Sequence, residues 1–145
     1  MDISLSNRQK TRPINPRRIK ARARKILNAL GYPEAELSLV LVGDEEMTRL
    51  NREHLGRDRS TNVIAFPMLE GDFGQVNPGV LGDVVMCVDT ALREADEQGY
   101  NLDEMLDYYL IHGILHLVGY DHEGPAEEAS LMEAKTGELW GMLGY

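Results

Sequence analysis

NLDEMLDYYLIHGILHLVGYDH, residues Asn101–His122, carries the clearest helix pattern in this chain. Asn101 can cap a helix, and Glu104 stands three residues later, where it completes a capping box. Apolar residues then recur at helical spacing and give the helix a wide apolar flank, which is typical of a central helix. Gly119 supplies the left-handed residue that ends it. The pattern therefore predicts a buried helix at the centre of the fold.

Three of the four histidines lie on this helix or just after it. His112 and His116 are four residues apart, so their side chains lie one turn apart on the same face. The chain reverses at Gly119, and His122 follows three residues later. Two ligands from a helix and one from the returning loop are typical of a three-histidine metal site. Three neutral imidazoles with an open fourth position favour one Zn²⁺ ion per chain.

The ligands and the glycine match the metzincin pattern H-E-x-x-H-x-x-G-x-x-H, but the general-base glutamate is replaced by Gly113. An amide leaving group needs such a carboxylate to pass it a proton, whereas a phosphodiester of RNA leaves as an alkoxide. A metal with positive side chains beside it suits the second reaction. The residues therefore favour RNA as the substrate, and a metallopeptidase-like hydrolase is the alternative.

Three segments resemble the YbeY family of endoribonucleases and rRNA maturation factors. They are HGILHLVGYDH, GRDRSTNVIAFP and LGDVVMCV, at residues 112–122, 56–67 and 81–88. The resemblance covers nearly the whole chain and implies a single domain over residues 1–145. It also implies a zinc-dependent, single-strand-specific endoribonuclease that acts in late maturation of the 3′ end of 16S rRNA and in ribosome quality control. The implied setting is cytoplasmic, with RNA and the ribosome or a small-subunit protein as partners.

The resemblance directs attention to arginines near the loop that precedes the TNVIAFP segment. Arg52, Arg57 and Arg59 are the candidate RNA-binding residues, because guanidinium groups bind phosphates well. Members of the family carry an arginine just before the glycine of this loop, and here that position is Leu55. The catalytic residues are therefore left unassigned. Arg57, Arg59 and Asp121 are candidates, and Asp121 serves equally well as a turn-capping residue.

Positive charge is concentrated at the start of the chain, although the formal net charge is −9. Nine basic residues and no acidic residue lie between Arg8 and Lys25, and only Arg93 and Lys135 are basic after Arg59. Such segregation is compatible with one face that attracts phosphate and another that repels it. Basic residues also solvate surface helices, so charge alone does not identify RNA as the partner.

Length and composition narrow the class of protein further. A chain of 145 residues is long enough for one domain with a real core. It has no apolar run of about eighteen residues and no apolar signal segment, so we expect neither a membrane span nor secretion. Cys87 is the single cysteine, fits a reducing compartment, and lies in the apolar run VVMCV, where we expect a buried side chain without a chemical role.

Hydrophobic periodicity predicts the order strand, helix, strand, helix, two strands and then helices. The expected class is α+β, with a small mixed sheet covered by helices and a zincin-like three-histidine site on the central helix. Asp44 is expected to cap the second helix, and Asp89 or Thr90 the third. Residues 68–79 are expected to form either a flap beside the site or a slack connection. A ribosome assembly factor with structural zinc is the non-enzymatic alternative.

Overall fold

The computed structural model describes residues 2–68, 80–121 and 124–145. The described residues form four strands and five helices in the predicted order. They are β1 (Asp2–Asn7), α1 (Pro16–Ala29), β2 (Glu36–Val42), α2 (Asp44–Leu55), β3 (Val63–Pro67), β4 (Val80–Cys87), α3 (Val88–Gln98), α4 (Leu102–Leu117) and α5 (Ala126–Met142). The predicted α+β class is confirmed. Residues 69–79, which include nearly all of the predicted flap, lie outside the described residues, as do His122 and Glu123.

The four strands form one mixed sheet in the order β1-β2-β4-β3. β1, β2 and β4 run parallel, and β3 pairs antiparallel with β4 at the edge, where Val63 faces Met86 and Pro67 faces Gly82. The side chains of this sheet alternate between two faces. One face packs on α1, α3 and α4 in the main core, with α5 packed on α4, and the other holds a smaller cluster that includes Met47 of α2. None of the described helices is long and apolar enough to cross a membrane.

Helix α4 lies across the main core, as its sequence predicts. The Asn101 side chain accepts from the backbone N–H of Glu104, and the Glu104 carboxylate accepts from that of Asn101, so the capping box is complete. Gly119 ends the segment with a φ of +103°. Ten of the sixteen residues of α4 are buried, and this burial fixes the orientation of its last two turns. The histidine pair is carried on those turns.

The predicted caps of α2 and α3 were wrong. Gly43 and Cys87 are the N-caps, and neither provides a side-chain hydrogen bond. Asp89 instead lies in the first turn of α3, where its carboxylate accepts from the Asp44 backbone N–H at 2.8 Å and from Thr11 Oγ1 at 2.6 Å. Both helices start at the carboxyl ends of the adjacent strands β2 and β4. A residue of one helix can therefore satisfy the free N–H group of the other.

A buried carboxylate joins α1 to α4. Asp107 is 0% exposed and accepts from Arg18 Nη1 at 3.1 Å and Nη2 at 2.7 Å. Tyr145 Oη donates to the same carboxylate at 2.6 Å. Burial and this hydrogen bond to Asp107 raise the pKa of Tyr145 to about 12. Because a buried charge is costly without partners, these contacts hold the first helix of the chain against the central one.

Candidate active-site cleft

His112 and His116 lie side by side on the last two turns of α4, as their spacing predicts. The ring centroids are 4.7 Å apart, and the ring planes are inclined by 72°. Both side chains are half-buried and border an open cleft of about 620 Å³. Two imidazoles one helical turn apart are spaced to bind one cation. The predicted third ligand, His122, is not among the described residues.

The cleft is built from four parts of the fold. Its walls are the end of α2 with the following loop, strand β3 with the residues before it, the second half of α4, and the loop after α4. Asp121, which precedes the third histidine, is part of this lining, and so is Glu128 at the start of α5. The sequence pattern did not single out Glu128, because α5 reaches the cleft only through the turn that follows α4. The cleft therefore offers two carboxylates beside the two imidazoles.

The three candidate arginines are separated by the fold. Arg57 is the only arginine or lysine among the described residues that line the histidine cleft. Arg52 lines a second cleft of about 810 Å³ on another side of α2 and pairs with Asp58 at 3.1 Å. Arg59 lines neither cleft. Leu55 does line the histidine cleft and is 53% exposed, so an apolar side chain occupies the position at which the family resemblance implies an arginine.

Asn51 holds the loop that carries Arg57. It is 1% exposed, and its Nδ2 donates to the backbone carbonyl of Arg59 at 2.8 Å. Its Oδ1 accepts no hydrogen bond within the described part of the chain, although it is buried against the cleft. A signal for this residue is present in the sequence: Asn51 follows Met47 by four positions and so shares the buried face of α2.

A polar network braces the start of β3 beside the histidines. Asn62 Nδ2 donates to Glu94 Oε1 of α3 at 3.2 Å, and the buried Tyr109 hydroxyl of α4 donates to the same oxygen. Asn62 Oδ1 in turn accepts from the Val63 backbone N–H at 2.7 Å. Burial and the Glu94 hydrogen bond raise the pKa of Tyr109, which keeps its hydroxyl a donor. Sequence reasoning missed this network, because its members come from three elements.

Gly113 shows why the peptidase glutamate is missing. A Cβ atom at this position would lie 2.6 Å from Cγ1 and 3.1 Å from Cγ2 of Val84 in β4. Such distances are closer than packed carbon atoms allow. Position 113 is the point at which α4 touches the sheet, so a glutamate there would collide with β4.

A second group of possible metal ligands lies on the other side of the sheet. The ligand atoms of Asp44, Cys87 and Asp89 all lie within 4.8 Å of one another and could hold a metal ion. However, both Asp44 oxygens accept from Arg93, at 2.8 and 2.9 Å, and these hydrogen bonds hold the pKa of Asp44 well below its usual range. Burial raises the pKa of the Cys87 thiol, so the thiolate form that metals prefer is disfavoured.

The fold and cleft define an α+β domain with a histidine pair at the end of its central helix, in an open cleft that an arginine also lines. The chain belongs to the YbeY family: the family model described as Endoribonuclease YbeY matches residues 4–144. The chain is 53% identical over 144 residues to the Endoribonuclease YbeY of Geobacter sulfurreducens, and the match covers 99% of this chain and 96% of the relative. The predicted family is thus confirmed.

Two further comparisons agree with this membership. The Endoribonuclease YbeY of Geobacter metallireducens is 51% identical over 144 residues, with coverage of 99% and 96%. Among solved structures, a Thermotoga maritima protein determined in solution matches with a TM-score of 0.62 and 27% identity. That match covers 99% of this chain and 91% of the other. Sequence and fold therefore place the chain in the same family.

Proposed function

We propose that this protein is a metal-dependent endoribonuclease that cleaves single-stranded RNA in the histidine cleft. The observation that carries the proposal is the pair of half-buried imidazoles in an open cleft that Arg57 also lines, in a chain of a family named for endoribonuclease activity. The cleft is open enough for an extended strand. Residues 1–145 act together as one domain in this proposal, because the cleft draws on elements from both halves of the chain.

The donor set fits zinc. His112 and His116 present two nitrogen ligands on successive turns, and His122 follows in the sequence as the third. These three residues would hold one Zn²⁺, which supplies Lewis-acid polarisation of a phosphate oxygen when it is bound. Neutral imidazoles suit this ion better than Mg²⁺ or Ca²⁺, both of which prefer oxygen ligands.

The other residues of the cleft bind the substrate and handle protons. Arg57 would pair with the phosphate at the cleavage site through charge-assisted hydrogen bonds. Asp121 is the carboxylate that we assign to proton transfer, because it lines the cleft next to the metal-binding segment. Asn51 and Asn62 act as positioning residues, by fixing the loop that carries Arg57 and the start of β3.

RNA suits this cleft better than a peptide does. Gly113 leaves no room for the glutamate that a metallopeptidase needs, and the lining offers a cation for a phosphate. Within RNA, the substrate we propose is rRNA near the 3′ end of 16S rRNA, late in maturation and in ribosome quality control, with the ribosome or a small-subunit protein as partner. We place this activity in the cytoplasm, where the single cysteine stays reduced.

The test is cleavage of a labelled single-stranded rRNA fragment by zinc-loaded wild type and by His116→Ala, with bound metal measured on both. We expect wild type to cut, and the variant to lose both metal and cutting. Arg57→Ala should retain metal but cut about 10- to 100-fold more slowly, the loss expected for a hydrogen bond to a charged group. Arg52→Ala is the matched control and should cut like wild type. A wild type that binds zinc yet cuts no better than His116→Ala would reject the enzyme in favour of structural zinc.

A further inference from the structure

Much of the positive charge near the N-terminus is not paired with acidic groups within the described part of the chain. Of the nine basic residues between Arg8 and Lys25, Arg8 pairs with Glu46 at 2.7 Å, and Arg18 binds Asp107. Arg22 donates to the carbonyl of Leu143 at 2.7 Å. The other basic residues of α1 make no ion pair and no side-chain hydrogen bond within the described part of the chain; they are Arg17, Lys20, Arg24 and Lys25.

Three of these four cations lie on the outer face of α1, and Lys20 lies at the edge of that face. Ile19, Ala23, Ile26 and Leu27 form the buried side of the helix. Arg18 and Arg22 lie on the flank that meets Asp107 of α4. At about 100° per residue, Arg17, Arg24 and Lys25 fall on the exposed side of the helix, away from the buried residues. The half-buried Lys20 lies at the edge of that side, three residues from Arg17 and four from Arg24. We call Arg17, Lys20, Arg24 and Lys25 the basic face of α1.

The basic face works against the stability of its own helix. The first turn of α1 contains no acidic residue, and Arg17 there meets the positive end of the helix dipole. Lys20 and Arg24 are a like-charged pair at positions i and i+4, which is also unfavourable. No acidic residue lies between Ile3 and Pro33 to offset these charges. A polyanion bound along the face would relieve both kinds of repulsion.

We propose that the basic face of α1 is a second RNA-binding surface, which holds the RNA backbone outside the catalytic cleft. This inference rests on the proposed endoribonuclease function. From Arg17 to Lys25 the helix rises about 12 Å, the axial length of roughly three to four stacked nucleotides. With a net charge of −9 for the whole chain, most of the remaining surface repels RNA, so the strand is directed to this face.

The two surfaces are separate. The lining of the histidine cleft includes no residue of α1. The contact between Arg18 and Asp107 lies five residues along α4 from His112 and nine from His116, which is about 8 and 14 Å along the helix axis. RNA that fills only the cleft therefore does not reach the basic face. A longer strand can occupy both.

The experiment measures binding of the zinc-loaded protein to fluorescent 2′-O-methyl RNA of about six and about twenty-four nucleotides, in a salt titration. The variant is Arg17→Gln/Arg24→Gln. The matched control is Arg49→Gln/Lys135→Gln, which removes the same charge from an exposed and a half-buried side chain elsewhere, each in an ion pair. For the long RNA we expect the variant to bind about ten-fold more weakly, with a salt slope smaller by about 1.4, and the control to resemble wild type. Arg17→Lys/Arg24→Lys should restore the slope.

Cleavage by wild type, measured in parallel, separates the two proposals. A wild type that cuts RNA, with variant and control binding the long RNA equally, would overturn the basic face as an RNA surface and favour an acidic protein as its partner. Selective loss of long-RNA binding in the variant supports the surface even if wild type proves unable to cut. Melting temperatures of all variants check that weaker RNA binding does not come from unfolding. We expect them to match wild type, because these side chains lie outside the core.

Discussion

The Asp44–Cys87–Asp89 group and the His112–His116 pair differ in how the fold places them. In the first group, Asp44 is held by Arg93 and Ser60, and Asp89 by Thr11 and the Asp44 backbone. The three residues join α2, α3 and β4. The second pair lies on one helix and borders an open cleft of about 620 Å³.

The difference teaches that closeness of ligand atoms does not by itself make a metal site. Metal binding to Asp44 and Asp89 would have to displace the Arg93 guanidinium and uncover the helix N–H group of Asp44, so it would cost protein structure. Binding to the imidazoles draws on two side chains of one helix at the border of an open cleft. We therefore interpret the carboxylate group as a structural junction and the histidine pair as the functional site.

Metal content gives the largest expected effect. His112→Gln should lose the bound zinc of wild type, because an amide is a far weaker ligand than imidazole, whereas Asp44→Asn should retain one equivalent. The measurement is metal per chain by mass spectrometry after dialysis against a low concentration of zinc. If His112→Gln kept its bound zinc and Asp44→Asn lost it, our assignment of the two groups would be reversed.

Gly113 tests how closely the histidine helix is fixed on the sheet. Gly113→Ala should lower the free energy of unfolding by about 1–3 kcal/mol, because the new methyl group overlaps Val84. Gly137→Ala is the matched control: Gly137 lies inside α5, no atom lies within 4 Å of where a Cβ would be, and the substitution should raise the free energy of unfolding by up to about 1 kcal/mol. Urea titrations measure both. If the two substitutions changed the free energy of unfolding by the same amount, α4 would be free to shift away from β4.

The pH dependence of stability gives the smallest effect and tests the junction. The Arg93 hydrogen bonds lower the pKa of Asp44 in the folded protein, so the folded state favours the charged carboxylate. The stabilisation from the Asp44 carboxylate is therefore fully present above about pH 4, the pKa of an aspartate in the unfolded chain. It is lost progressively as the pH falls below that value. Because the pair is partly exposed, we expect a contribution of about 1 kcal/mol or less. Urea midpoints at pH 3 to 6, compared with Asp44→Asn, check this: a variant with an unchanged acid limb would contradict the assigned pairing.

The parts of the fold that the sequence predicted are those that depend on local pattern. The capping box of α4, the turn at Gly119 and the shared face of His112 and His116 all follow from spacings of three or four residues. The strands and the mixed sheet follow from apolar runs separated by turn residues. Local chemistry therefore determined the central helix and the candidate ligands on it.

The remaining features depend on contacts between distant segments. Asp89 caps α2 from 45 positions away, and Tyr109 binds Glu94 across two helices. The arginines show the same limit: Arg57 follows the left-handed Gly56 and enters the histidine cleft, whereas Arg52 lies on another side of α2. No spacing rule reports which side of a turn a long side chain will take. Only the tertiary structure separates these candidates.

The bond between Arg18 and Asp107 has a consequence for biosynthesis. The two residues are 89 positions apart, so α1 leaves the ribosome well before the carboxylate that holds it has been made. At a synthesis rate of about 5–20 residues per second, this interval lasts roughly 4–18 seconds. Throughout it, Arg18 and Arg22 add to the cations already exposed on α1. The nascent chain is therefore at its most basic before it folds, and docking of α4 removes part of that charge.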